Sequence, residues 1–311
     1  MNETIVVTGA GGYLASHLIP ELLNQNYRVY GIDNRAYSFP IDEDHADKLI
    51  FFNDKFGEAK KKIVQLLNKN DETVSSIIHF AGVSDANKCN KNSLVAYDAN
   101  VNLTMEVLEF CREQNIQKFY FPSTGLVYGE KKNNQFSSEE SLINPLNFYA
   151  WTKHIAEKTI ESYCTSFSIQ AIIMRFNNII GYPLKKGTIL SDIFSQIING
   201  AKEVIINDGN PVRDFIFIKD AISAIILLLK MEISSDFGIY NVSSGIGIQT
   251  LELAHMACAS NNLPASIVKS MKPREKNPLT LVLDNRKLKK AGWSPRYSIE
   301  ESINQINRYM I

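Results

Sequence analysis

The chain lacks a net charge: 33 lysines and arginines are matched by 33 aspartates and glutamates. A basic stripe with interleaved aromatics is therefore absent, which excludes a general nucleic-acid binder and leaves room only for a local phosphate pocket. Cysteine is scarce. Cys89, Cys111, Cys164 and Cys258 are scattered, with no CxxC pair, so no disulfide framework is expected and a reducing, cytoplasmic compartment is. Nowhere do about 18 apolar residues run together, so no membrane span is expected. The most apolar late stretch, AISAIILLLK at 221–230, is too short and reads as a buried helix. Thr4–Thr8 is apolar, but it leads into glycines without a basic region before it or a cleavage site after it, so no export signal is expected. The histidines (His17, His45, His79, His154, His255) show no metal-ligand spacing, and no metal is expected. His79 reads as strand packing rather than chemistry. Internal repeats and low-complexity tracts are also missing.

What remains is an ordinary globular composition, 45% apolar and 21% charged over 311 residues. That length suits one large α/β domain or two unequal lobes. Through residue 176, short β-branched runs alternate with amphipathic segments. ETIVVTG, NYRVYGID, KLIFF, SSIIHFAG, QKFYFPS and QAIIMRF read as strands, and Leu14, Leu18 and Leu22 mark a helix face between two of them. Such alternation predicts an α/β fold with a Rossmann-type, doubly wound parallel sheet over 1–176. Pro20 inside the first helix is expected to kink or shorten it. After residue 176 the pattern loosens, and 177–311 reads mainly as a smaller C-terminal substrate-binding lobe, some later segments returning to the sheet. Ser298 and Glu301 predict a capping box for a last helix. The lysines at 60–62 read as a solvated helix face.

The stretch VVTGAGGYLASHL, 6–18, places Gly9, Gly12 and Ala15 between a strand and a helix. Glycines there let the backbone turn tightly and approach a pyrophosphate seated on the helix N-terminus. Ala15 is small enough for close helix–strand packing. Asp33 ends the second strand, about twenty residues on, where a carboxylate accepts from ribose hydroxyls and repels a 2′-phosphate. NAD is thus expected over NADP, with Arg35 as the residue that would favour NADP. Asp54, after the third strand, reads either as an adenine contact or as a surface turn.

Tyr149 and Lys153 in NFYAWTK fall on one helical face. Ser123 and Thr124 follow a predicted strand, at the carboxyl edge where open α/β sheets bind ligands. A hydroxyl, a tyrosine and a lysine beside a nicotinamide form a proton-and-hydride site. Lys153 and the cationic ring would lower the tyrosine's pKa, and Thr124 would hold the sugar oxygen in line.

With these residues in place, the chain resembles an extended short-chain dehydrogenase/reductase of the NAD-dependent epimerase/dehydratase family, which acts on nucleotide sugars. The likeness runs through TGAGGYLA, Asp33, HFAG at 79–82, Asn100 in DANVNLTMEVLEFC, STGLVYG, Tyr149 with Lys153, RFNN at 175–178, RDFIFIKD at 213–220, YNVSSG at 240–245 and AGWSP at 291–295. It implies that Gly9, Gly12, Tyr13, Leu14, Asp33, Asn34, Asp54, Ala81 and Lys153 hold the cofactor. It implies that Ser84, Ser123, Asn178, Arg213 and Arg274 face a nucleotide-diphosphate sugar, Asn178 and Arg213 gripping the diphosphate. A surface salt bridge to Asp214 is the alternative for Arg213. It also implies a homodimer through the helices beginning near Asn100 and Tyr149, and a gate for sugar bulk at Leu281. Dehydrating relatives carry a carboxylate just before the VYG tyrosine; Gly125 and Leu126 stand there instead, which disfavours 4,6-dehydration. A 4-epimerase with tightly bound NAD is the expectation. An NAD(P)H-dependent 4-keto-sugar reductase needs nearly the same residues and is the alternative, with a non-enzymatic dinucleotide-sensing scaffold after both.

Overall fold

A computed structural model of the chain describes residues 3–37, 39–130, 136–232, 235–271 and 279–310. The chain divides into two compact units, each assembled from three stretches: Met1–Thr124, Asn147–Met174 and Lys230–Ile239 in the first, and Gly125–Leu146, Arg175–Leu229 and Tyr240–Ile311 in the second.

The first unit alternates strand and helix. Strands β1 (Thr4–Thr8), β2 (Arg28–Ile32), β3 (Leu49–Phe52), β4 (Val74–His79), β5 (Lys118–Thr124) and β6 (Gln170–Phe176) are separated by helices α1 (Tyr13–Asn24), α2 (Phe56–Asn70), α3 (Ala86–Lys91), α4 (Ser93–Tyr97), α5 (Leu103–Glu113) and α6 (Phe148–Phe167). All six strands lie where the β-branched runs predicted them. They order as β6-β5-β4-β1-β2-β3, and a late strand, β10 (Phe237–Val242), joins beside β6 to make seven. The pairs β1–β2, β1–β4, β2–β3 and β4–β5 are parallel. This is the doubly wound α/β sheet, and its two-sided burial explains the unbroken apolar runs. One face packs Val6, Ile77 and Phe119 against Ile63 of α2, Val107 and Phe110 of α5 and Ile160 of α6.

Helix α1 continues unbroken past Pro20 to Asn24, so the proline does not shorten it. Proline forfeits one helical hydrogen bond, but Leu18, Ile19, Leu22 and Leu23 around it are essentially fully buried. Their burial, worth roughly 1.5–3 kcal/mol each, outweighs that loss. Between α4 and α5 the chain makes a π-helical turn, Asp98–Asn102, rather than an α turn.

In the second unit, Gly125–Tyr128 forms a short 3-10 turn. The remaining elements are β7 (Asn178–Ile180), α7 (Ile189–Ile198), β8 (Val204–Ile206), β9 (Val212–Phe217), α8 (Ile218–Lys230), β11 (Gly247–Gln249), α9 (Thr250–Ala259), β12 (Val268–Ser270), β13 (Thr280–Leu281), α10 (Arg286–Lys290) and α11 (Ile299–Arg308). Strand β9 is central, with β11 antiparallel and β7 and β13 parallel to it. Its Asp214 is wholly buried. The carboxylate accepts from Ser244 N at 3.0 Å, Ser244 Oγ at 2.6 Å and Gly245 N at 3.1 Å, and more weakly from Leu283 N. Burial pushes its pKa up to about 6 against the pull of those bonds. The capping box forms as predicted: Ser298 Oγ accepts from Glu301 N, and the Glu301 carboxylate accepts from Ser298 N. No helix among the described residues is long and apolar enough to cross a membrane.

Candidate active site

The glycine turn follows β1 directly. Gly9 has φ +70°, and a Cβ there would sit 2.6 Å from Ala81 N, so only glycine lets β1 turn this close to the end of β4. Gly12 precedes α1 without any side-chain cap, leaving the first N–H groups of the helix for an outside acceptor. Ala15 is fully buried, which explains why a small residue suffices. At the end of β2, Asp33 is buried and bent back onto the turn. Its Oδ2 accepts from Gly11 N at 3.0 Å and its Oδ1 from Arg35 N at 2.9 Å. The Arg35 side chain lies mostly in solvent and reaches Asp33 only at 3.4 Å. Oδ2, with one donor, keeps a lone pair for a ribose hydroxyl. The cradle, the uncapped helix and the acidic strand end fit a dinucleotide with an unphosphorylated adenosine ribose.

The structure gathers Gly9, Gly12, Tyr13, Leu14 and Asp33 around one turn, with Ala81 against Gly9. Asn34 is exposed just beyond Asp33, and Ser84 is exposed beyond Ala81. Asp54 gives one oxygen to Lys62 Nζ at 2.6 Å, leaving the other open.

On β5, Ser123 and Thr124 point to opposite faces, as successive strand residues must. The Thr124 side chain is hydrogen-bonded to Tyr149. Ser123 is buried, and its Oγ has no hydrogen-bond partner among the described residues. Asn147 caps α6 by accepting from Ala150 N at 2.9 Å, which starts the helix at Phe148, one residue before Tyr149. Lys153 follows one turn later, buried, with Nζ 4.1 Å from the centre of the Phe121 ring.

Burial governs the electrostatics of the two side chains. Burial holds the Tyr149 pKa above its ordinary 10.0, the Cys89 thiol adds to this, and only the Thr124 bond lowers it. Burial also brings Lys153 down to about 8, opposed by Glu157 and Cys89. Desolvation penalises both charged forms, which raises a tyrosine and lowers a lysine. Two of these contributors were not singled out from the sequence. Glu157 is buried one turn beyond Lys153, and Cys89 is buried on α3. A glutamate four residues after the lysine was visible, but its burial was not.

In the second unit, Asn178 and Arg213 come together on neighbouring strands, Asn178 facing Phe215 in register. Arg213 does not pair with Asp214, because the two point to opposite faces of β9. Its guanidinium instead donates to the carbonyls of Val212 at 3.0 Å and Leu279 at 3.2 Å. Asn178 Nδ2 donates to Asp214 O at 3.0 Å. Leu281 is buried on β13. Arg274 lies outside the described residues.

A parallel dinucleotide-binding sheet with Thr124, Tyr149 and Lys153 at its carboxyl edge defines an extended short-chain dehydrogenase/reductase. Comparison with known proteins narrows this. The NAD dependent epimerase/dehydratase family matches residues 5–243, and the chain belongs to that family. It is an enzyme of this NAD-dependent class. A putative UDP-glucose 4-epimerase of Methanocaldococcus jannaschii is 27% identical over 310 residues, 98% of each chain. A dTDP-D-glucose 4,6-dehydratase of Dictyostelium discoideum is 31% identical over 81% of this chain and 61% of its own. The UDP-glucuronic acid 4-epimerase of Bacillus cereus, solved with UDP-glucuronic acid and NAD, superposes with a TM-score of 0.85 at 23% identity, over 99% of this chain and 98% of that one.

Proposed function

We propose that the protein is a nucleotide-sugar 4-epimerase that works through a 4-keto sugar and retains its NAD. The observation that carries this is the Thr124–Tyr149 hydrogen bond beside Lys153, followed by a turn with no carboxylate. A larger residue at position 125 would have to displace its neighbours: a Cβ on Gly125 would lie 2.9 Å from Leu283 Cδ2 and 3.0 Å from Asn177 Oδ1. Dehydration, which the Dictyostelium relative's name describes, would need its acid or base from elsewhere. The names of the archaeal and Bacillus proteins support epimerisation.

Residues Gly9, Gly12, Tyr13, Leu14, Asp33, Asn34, Asp54 and Ala81 would hold the dinucleotide, Asp33 through the ribose hydroxyls. NAD, when bound, supplies the hydride acceptor and donor. Tyr149 Oη takes the proton of the C4 hydroxyl, with Thr124 holding that oxygen in line and the charged Lys153 stabilising the phenolate. After the sugar turns over, Tyr149 returns the proton to the C4 oxygen on the opposite face. Ser84, Ser123, Asn178, Arg213 and Arg274 are proposed substrate contacts, Asn178 and Arg213 for the diphosphate, where a guanidinium offers a planar fork. A homodimer is proposed through α5 and α6, whose Met105 and Trp151 are exposed apolar side chains. Four free, buried cysteines support a reducing, cytoplasmic setting.

The test is to purify the protein without added cofactor, denature it and identify the released dinucleotide, then to supply UDP-hexoses alone. Near-stoichiometric NAD and turnover without added cofactor are expected. An empty protein that prefers NADPH would instead mark a 4-keto-sugar reductase, with the solvent-facing Arg35 swung from Asp33 onto the 2′-phosphate.

A further inference from the structure

His79 ends β4, next to Thr8 at the end of β1, and the two residues are paired in register. Its ring packs against Phe119 and Phe121, at 5.9 Å between centres in each case. Both ring nitrogens are also engaged. Nδ1 lies 2.6 Å from Thr8 Oγ1, and Nε2 lies 3.1 Å from Thr104 Oγ1. Thr104 Oγ1 donates its single proton to Asn100 O at 2.8 Å, so it can only accept from His79. The imidazole therefore carries its proton on Nε2, and Nδ1 accepts from the Thr8 hydroxyl. Thr8 Oγ1 in turn accepts from Ala81 N at 3.2 Å.

The chain of bonds continues from Asn100. This residue sits in the π-helical turn, where the extra residue turns its side chain inward. Its Oδ1 accepts from Val83 N at 2.7 Å, and its Nδ2 donates to Val83 O and to Thr152 Oγ1, both at 3.0 Å. Thr152 Oγ1 donates to Tyr149 O at 2.8 Å. Gly82, at φ +150°, leaves the space: a Cβ there would be 2.7 Å from Asn100 Oδ1. Thr8, His79, Asn100, Thr104 and Thr152 are all buried to within about 1%. One continuous, directional set of hydrogen bonds thus joins the residue before Gly9 to the backbone of Tyr149.

We infer that His79 is a positioning residue for the reaction, holding the dinucleotide turn and the Tyr149–Lys153 helix at one fixed separation through Thr8 on one side and Thr104, Asn100 and Thr152 on the other. The inference rests on the proposed roles of Tyr149 and Lys153. An imidazole suits the task because it accepts at one edge and donates at the other across a rigid ring. Burial, with the Lys153 charge adding to it, takes the His79 pKa down to about 3, so the ring stays neutral and the direction of the bonds does not change across the working range. A misplacement of about 1 Å between reacting groups can cost on the order of a hundredfold in rate.

Three measurements on the full-length protein test this. In ¹⁵N-histidine NMR, His79 is expected as the Nε2–H tautomer, unchanged from about pH 5 to 9; an Nδ1–H form or a titration in that range would overturn the assignment. In His79→Phe, which keeps the ring packing, and in Thr104→Val, hydrogen exchange at Val83 N is expected to quicken. Unchanged protection in both variants would show that the link transmits nothing, whatever the enzyme's activity. In steady-state assays with a UDP-hexose, both variants are expected to lose about tenfold to a hundredfold in kcat with KM and bound NAD near wild type. His79→Gln, which can keep the donor to Thr104, should recover part of the loss. Wild-type kcat in both variants, or a kcat that falls only in step with NAD content, would overturn the positioning role. Absence of turnover in the wild-type protein would count against the epimerase reading alone, the exchange measurement still deciding the link.

Discussion

Lys153 shows how one residue can work against the fold that holds it. A lysine whose folded pKa is about 8 against an ordinary 10.5 is unfavourable to bury while charged. Between about pH 8 and 10.5 the unfolded chain binds more protons than the folded one, so this residue makes stability rise with pH across that window. The difference corresponds to up to about 3 kcal/mol at neutral pH. Lys153→Met is therefore expected to raise Tm at pH 7, flatten the alkaline slope and abolish turnover, which thermal melts across pH and an activity assay would check. Tyr149→Phe removes the proposed proton carrier, and a fall in kcat of about a hundredfold to ten-thousandfold is expected in the same assay. At the turn, Gly9→Ala adds a methyl 2.6 Å from Ala81 N in a left-handed conformation. Purified Gly9→Ala protein should release almost no dinucleotide on denaturation, and wild-type content would refute the cradle.

At the scale of elements, β9 depends on one carboxylate. Asp214 accepts from Ser244 and Gly245, tying the strand to the turn before β11. Asp214→Asn replaces one of its two acceptor oxygens by a donor that faces other donors. A loss of about 1–3 kcal/mol is expected in denaturant melts. The strands and the glycine turn were legible in the sequence because a period of two and an unbroken apolar run are local signals. The Thr124–Tyr149–Lys153 group was legible because strand end and helix face each announce themselves. The Asp214 clamp and the His79 set were not, since their partners lie far along the chain: Thr8 and His79 are 71 residues apart, and Asp214 and Ser244 are 30. Pro20 misled for a related reason. Helix propensity is local, whereas the burial that overrides it belongs to the packed sheet. Nor could the tyrosine's raised pKa be read in advance, because desolvation depends on what surrounds the side chain.

For the whole molecule, the exposed Met105 and Trp151 bear on assembly. Replacing Met105 and Trp151 together by glutamate should convert the proposed dimer to a monomer in light scattering, and an unaltered mass would place the interface elsewhere. The interleaving of the two units has another consequence, in the order in which the chain is made. The sheet's edge strand β10 follows β6 by some sixty residues, most of which belong to the other unit. During synthesis, the strand that will lie beneath β10 therefore emerges long before its neighbour and presents a row of unsatisfied backbone groups. A ribosome stalled once β6 has left the exit tunnel but before β10 is made would carry a nascent chain with most of its nucleotide-binding sheet and β6 as an open edge, prone to capture by a chaperone or by another copy. Release past Val242 lets β10 cover β6 and become the new edge, so aggregation of the nascent chain should fall late in its translation, in one step.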